Sequence, residues 1–280
     1  MEQLSTDKAS TQPRYELGVA LSGGGARGFA HAGALMAIEE AGLKPDIIAG
    51  VSAGSVVAVL YAAGFKPGHI PELFANCSFT DFTKLSLGKG GLFTVEKFRD
   101  FIMEAVLSRG DYRRLEDLPM PTYLGVTDFD NGCPVEFHTG EIGDRMIASC
   151  SIPIVFKPVT IDGVNYVDGG VLRNHPAWII RDKCKLLIGV NVSPLPTSGS
   201  ASSIVDVALR TYNLMAKANQ AADMALCDLS IVTPELSGYR AFSLKHIPGV
   251  FLSGYIHTRR ALKDAGMWHP TDNHKTNNQR

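Results

Sequence analysis

Apolar residues fill positions 17–21 and then give way to Ser22-Gly23-Gly24-Gly25, the pattern of a short buried strand running into a glycine turn. A stretch of strong helix formers follows over 29–41, where Gly33, Ala37 and Ala41 recur every four residues as a small face for close packing and Gly42 supplies the stop. Pro45-Asp46 turns the chain back. Residues 47–51 read as a second strand, and 53–63, apolar on nearly every side, as a buried helix ended by Gly64. Strand, helix, strand, helix in this order predicts an α/β fold with a parallel sheet.

The middle of the chain changes period. Thr94-Val95-Glu96-Lys97 opens an amphipathic helical run to Leu107 through Phe98, Phe101, Ile102, Ala105 and Val106. Asn131-Gly132 separates apolar runs at 122–126 and 134–138, and Asp162-Gly163 separates 158–161 from 164–167; both dipeptides favour tight hairpin turns. A strand is predicted at 185–192, the longest helix at 205–226, a late strand at 229–232 and a closing helix at 255–265 stopped by Gly266. No internal repeat is visible. One domain over 16–268 is expected, between a flexible segment 1–15 and a disordered polar tail 269–280.

Composition narrows the function classes. With 27 basic and 28 acidic residues and no long Lys/Arg run, the chain has no field that would gather phosphates, so nucleic-acid binding is set aside. Cys77, Cys133, Cys150, Cys184 and Cys227 are an odd number, far apart and without CxxC spacing, which favours a reducing, cytoplasmic setting and no zinc site. The first sixteen residues are polar and lack the apolar core of a secretory leader. Residues 47–65 are uncharged for nineteen positions, close to a membrane span, but Gly50, Ser52, Gly54 and Ser55 interrupt them, and a buried strand plus a buried helix explains the same hydropathy.

Two glycine motifs carry candidate chemistry. Gly23-Gly24-Gly25-Ala26-Arg27-Gly28 fits G-x-G-x-x-G between a strand and a helix, so a dinucleotide-binding oxidoreductase is one reading. That fold wants a carboxylate at the end of the next strand. This chain places Gly50-Val51-Ser52-Ala53-Gly54 there, which is G-x-S-x-G, a turn that lifts a nucleophilic serine out of a strand-to-helix junction. Its flanking glycines remove the side chains that would collide, and the first turn of the following helix favours negative charge. A base is still needed. Asp168, before Gly169-Gly170, is the candidate carboxylate; turn chemistry alone would also explain it. His175 follows in the order Ser, Asp, His, and His31 is read as a packed side chain. Arg27 is expected to brace its loop, and Cys150 to be a buried small hydrophobe.

Taken in order, Gly23 to Gly28, Gly50 to Gly54, the segment 151–159 and Asp168-Gly169-Gly170 resemble the patatin-like phospholipases over roughly 16–194, most closely the bacterial and neuropathy-target-esterase branches. Ser22 departs from the additional glycine some relatives carry. The resemblance implies a three-layer α/β/α fold with a mostly parallel central sheet and a lipid acyl hydrolase acting through a Ser52/Asp168 dyad and an acyl-enzyme. It implies an oxyanion hole at Gly23, Gly24, Gly25, Ala26, Arg27 and Gly28, and leaves histidine with no role. No metal or cofactor is required. The expected partner is a phospholipid or other acyl ester, with any membrane contact peripheral. Desolvation must then raise the Asp168 pKa. An apolar cluster of Phe79, Phe82, Leu85, Leu87, Leu92 and Phe93, threaded with Gly88, Gly90 and Gly91, or the segment 242–255, would cover an apolar cleft or pack as ordinary core. A non-enzymatic lipid-binding regulator is the third reading.

Overall fold

The computed structural model describes residues 13–82, 84–85, 91–195 and 203–270. The first βαβα unit is β1 (Tyr15–Leu21), α1 (Phe29–Glu40), β2 (Ile47–Val51) and α2 (Ala53–Ala62). Two short strands, β3 (Lys84–Leu85) and β4 (Phe93–Thr94), pair with each other and precede α3 (Glu96–Leu107). Then come β5 (Thr122–Asp128), β6 (Cys133–Phe137), α4 (Ile142–Ser149), β7 (Val159–Ile161), β8 (Val164–Asp168), α5 (Ala177–Ile180) and β9 (Cys184–Asn191). The chain closes with α6 (Ile204–Asn219), α7 (Ala221–Met224), β10 (Leu229–Val232) and α8 (Ile247–Asp264).

The central sheet runs β10-β9-β1-β2-β5-β8-β7, with β6 pairing to β5. Its first five strands are mutually parallel, and β6, β7 and β8 are antiparallel additions from the two predicted hairpins. Successive strand residues enter opposite layers, following the pleat. Val19, Leu21, Ile48, Ile188 and Val190 enter a large core with α1, α2, α3, α4 and α8, while Ala20, Ile47, Ala49 and Leu187 enter a smaller one with α5. Helices therefore cover both faces, the expected three layers, and the uncharged stretch 47–65 is accounted for by β2 and α2. Among the described residues no helix is long and apolar enough to cross a membrane.

The small face of α1 meets α8, where a β-carbon on Gly33 would strike the Phe251 carbonyl and one on Gly254 would strike Ala30. Two predicted boundaries move. The closing helix starts at Ile247 rather than at 255, because Pro248 sits in its first turn, where a missing N–H costs nothing. The single helix expected over 205–226 is instead α6 and α7, separated at Gln220. Asn219 ends α6 by donating to the Gly170 and Val171 carbonyls and accepting from the Asn174 amide, which pulls the helix end onto the turn after β8. Helices α4 and α5 were not anticipated. The expected terminal segments 1–15 and 269–280 lie mostly outside the described residues; His269 donates its amide to the Ala41 carbonyl.

Candidate functional site

Ser52 occupies the junction of β2 and α2 with φ 53° and ψ −124°, a strained conformation for a residue with a side chain. The flanking glycines make the turn possible. A β-carbon on Gly50 would overlap the Gly54 carbonyl, and one on Gly54 would overlap the Leu21 carbonyl. The Ser52 amide donates to Ser149 Oγ at 2.9 Å, and Ser149 in turn donates to the Gly125 carbonyl at 2.7 Å. From the other side Ser55 Oγ donates to the Ser52 carbonyl at 2.5 Å. The elbow is thus pinned at both its amide and its carbonyl.

Asp168 reaches the same place from an unexpected direction. Gly125 of β5 is level with Val51, and Val126 is level with Asp168, so one strand separates the two candidate residues. Because β8 runs antiparallel to β5, it starts beyond the carboxyl edge of the parallel strands and returns, ending level with Ser52. Asp168 is fully buried. Its Oδ1 accepts from the Gly170 amide at 2.8 Å and from the Tyr212 hydroxyl at 2.9 Å, while Oδ2 is buried without a well-formed hydrogen bond. Desolvation raises its pKa to about 6, against the opposing pull of Ser52, the Gly170 amide and Tyr212. Ser52 thus lies within reach of both the carboxylate and the phenol.

The glycine loop folds over this point as a short 3-10 turn, Gly25–Gly28, entering α1. Its Gly23 amide is committed to the Asn174 carbonyl at 3.1 Å and its Ala26 amide to the Ala241 carbonyl at 2.6 Å. Arg27 does brace the loop. Its buried guanidinium donates to the carbonyls of Gly24 and Pro194 and to Asn213 Oδ1, and desolvation lowers its pKa only to about 10, so it stays charged. Ser22 contributes a hydroxyl that accepts from the Val192 amide at 3.0 Å, tying the loop to the end of β9.

From Ser52 a cleft extends between Gly25, Val56, Val57, Ile70 and the rings of Phe74, Phe82, Phe98, Phe156 and Phe242. Its walls are apolar almost throughout. Phe82 is buried against Phe74, Phe98 and Phe101, so this member of the predicted apolar cluster is a packed wall of the cleft. Leu92 and Phe93 donate their amides to the Ile154 and Val155 carbonyls. Leu87, Gly88 and Gly90 lie outside the described residues. Phe242 and Leu244 of the second predicted cover also line the cleft, held there through Ala241. Cys150 lines it too and is only partly covered; burial and the Asp168 carboxylate push its thiol pKa up, which keeps it protonated.

The histidines take no part in this arrangement. His31 is fully buried and donates Nε2–H to the Ser22 carbonyl at 2.8 Å, the tautomer being set by an acceptor that has no proton to give. His175 is fully buried, both ring nitrogens lack partners among the described residues, and its ring lies against Gly189 on the smaller core side. Desolvation lowers their pKa values to about 4 and about 3. Both are neutral in the folded state and take up protons on unfolding below pH 6.5. Stability is therefore expected to fall as pH drops from 6.5, by about 2 kcal/mol for each ring at pH 5, only partly offset by about 1 kcal/mol gained as Asp168 protonates. Urea titrations at pH 7 and pH 5 check this; an unchanged midpoint would contradict it.

Sequence reasoning passed over Ser149, Tyr212, Asn174 and Asn219. None has a local signature: a polar residue on an amphipathic helix, as Ser149, Tyr212 and Asn219 are, reads as solvent-facing until the partner element is known, and Asn174 lies in a loop where an asparagine reads as an ordinary turn residue. The family profile described as patatin-like phospholipase matches residues 19–180, a span holding the glycine loop, the Ser52 elbow and the Asp168 turn. The chain belongs to the patatin-like phospholipase family. An uncharacterized NTE family protein of Mycobacterium tuberculosis is 31% identical over 217 residues, covering 76% of this chain and 59% of the relative. Lysophospholipase NTE1 of Eremothecium gossypii is 32% identical over 189 residues, covering 63% of this chain and 12% of that protein. The crystal structure of VipD from Legionella pneumophila matches in fold, with a TM-score of 0.57 at 15% identity over 90% of this chain and 67% of that one. This patatin-like chain thus spans a little over half the length of its mycobacterial relatives and a small part of the fungal one.

Proposed function

We propose that this patatin-like chain is a lipid acyl hydrolase that cleaves carboxylic esters of phospholipids or lysophospholipids through an acyl-enzyme on Ser52. The observation that carries the reading is the strained Ser52 elbow, which opens on an apolar cleft and has the buried Asp168 carboxylate behind it. As Ser52 Oγ bonds to the ester carbonyl carbon, its proton passes to Asp168 Oδ2, the carboxylate oxygen left without a fixed partner. Collapse of the tetrahedral intermediate breaks the bond to the alcohol, which leaves with that proton. Water then attacks the acyl-enzyme, gives its proton to Asp168, and releases the fatty acid and a regenerated serine.

The negative charge on the carbonyl oxygen is met by backbone amides. With Gly23 and Ala26 committed elsewhere, the donors proposed from the glycine loop are Gly24 and Gly25, joined by the Ala53 amide in the first turn of α2. Each such donor contributes about 3 kcal/mol to the barrier reduction. The dinucleotide reading is disfavoured by the same loop, since two of its amides are closed off and a serine stands where a ribose-binding carboxylate is needed.

Covalent modification tests the proposal. A fluorophosphonate is expected to label the folded protein at Ser52, located by peptide mass spectrometry, together with hydrolysis of p-nitrophenyl acyl esters and of a lysophospholipid. Folded protein that neither labels nor hydrolyses would sink it. The cleft also predicts chain-length selection. Burying each methylene contributes up to about 0.8 kcal/mol, so KM for p-nitrophenyl octanoate is expected at least about tenfold below that for the acetate. Equal KM values along the series would show that the cleft does not hold the acyl chain.

A further inference from the structure

We propose that Tyr212 is a positioning residue for Asp168: its phenol fixes the carboxylate through Oδ1 so that Oδ2 is left facing the task of accepting the Ser52 proton. This rests on the acyl hydrolase reading and adds a third member, supplied by a helix outside the matched span, to the pair proposed above. The contact is a direct hydrogen bond of 2.9 Å between buried groups 44 residues apart in sequence. The Tyr212 side chain is held as firmly as its target. It lies on the inner face of α6 with Ala208 and Ala216, and Asn219, two turns further along the same face, fastens that helix to the Gly170 and Val171 carbonyls. The helix is therefore tied twice to the turn that carries Asp168, once through the carboxylate and once through the backbone that follows it.

The hydrogen-bond inventory explains why one more donor is required. A buried carboxylate with a single amide bond would be free to rotate about its Cβ–Cγ bond, exchanging the oxygen presented to Ser52. Gly170 N–H and Tyr212 O–H both converge on Oδ1, which removes that freedom. The phenol also lies within reach of Ser52, so it borders the reacting oxygen as well as the base. Its own proton is secure, because burial and the adjacent Asp168 carboxylate raise the Tyr212 pKa well above the usual phenol value. The titratable and charged groups facing this pair are Ser52, Cys150 and Arg27: the Cys150 thiol from the end of α4 is kept protonated by burial, and the Arg27 guanidinium from the glycine loop faces Tyr212 and remains charged. None of the three titrates between pH 5 and 8. A change in that window then reports on Asp168.

Tyr212→Phe keeps the ring and deletes only the donor. Because the donated bond favours the charged carboxylate, its loss is expected to move the acid limb of kcat/KM upward by about half a unit or more, with kcat down about tenfold and KM within about twofold. Far-ultraviolet circular dichroism and thermal unfolding report whether the variant is folded. An acid limb at the wild-type position overturns the proposal whether or not the rate falls, since lost packing lowers activity without changing the carboxyl titration. Should Tyr212→Phe fail to fold, 3-fluorotyrosine installed at 212 keeps the hydroxyl and strengthens the bond it donates. The limb is then expected to move to lower pH, and an unmoved limb overturns the proposal. Wild-type protein that lacks fluorophosphonate labelling at Ser52 is the separate result that removes the hydrolase reading itself.

Discussion

Ser52→Ala is expected to lower kcat/KM for a p-nitrophenyl ester by about 10⁴-fold or more and to abolish fluorophosphonate labelling, with the fold retained. The size follows from the absence, among the described residues, of a substitute nucleophile at the mouth of the cleft. Cys150 is the other candidate there, and its thiol is held protonated by burial and by the neighbouring Asp168 carboxylate. When water attacks the ester in place of the hydroxyl, the backbone amides would still meet the developing oxyanion, so a residual rate above background is expected rather than none. Folding should change little: alanine inherits the positive φ of the elbow, and Ser149 and Ser55 bond to the backbone of residue 52, not to its side chain. Thermal unfolding within a few degrees of wild type, together with rates on a long-chain ester, is the measurement. A variant that retains a tenth of wild-type activity would show that the elbow serine is not the nucleophile.

Asp168→Asn is expected to cost about 10³-fold or more in kcat while leaving the protein at least as stable at pH 7. The two effects have one origin. With the wild-type carboxyl raised to about 6 by desolvation, the folded state holds a proton that the unfolded state has lost between pH 3.8 and 6, so stability falls as pH rises through that window. Above pH 6 the buried charge costs up to about 3 kcal/mol, which a neutral amide of the same shape avoids. The wild-type acid limb should lie at about pH 6, with activity present above it and falling about tenfold per unit below it, and Asp168→Asn should lose that limb. A variant that is both inactive and less stable, with the limb of its residual activity unchanged, would instead assign Asp168 to the turn before Gly169.

Much of the central layout was legible because local patterning and tertiary role coincide there. The strands and helices of the first βαβα unit are buried on nearly every side, so their hydropathy marks both their type and their depth. The two hairpin dipeptides likewise fixed where β5 turns into β6 and β7 into β8. Reading the 205–226 segment as one helix failed because its break is made by Asn219 bonding to distant carbonyls, an interaction no sequence window contains. The closing helix reads short for a different reason: Pro248 and Gly249 look like breakers, yet they occupy the first turn of α8, where a missing N–H costs nothing.

The site divides in the same manner. Gly50, Ser52 and Gly54 announce an elbow by themselves, because only residues without side chains fit two positions either side of such a turn. By contrast, the pairing of Ser52 with Asp168 depends on β8 running back along β5 to end level with the serine, and the aspartate's raised pKa depends on how completely that packing excludes water. Tyr212 and Ser149 become part of the site solely through helices arriving from elsewhere in the chain. Backbone geometry that one tight turn demands is written into a few adjacent residues. Distance, solvent exclusion and the choice of hydrogen-bond partner belong to the assembled layers, since each is a property of groups that the chain brings together only by folding.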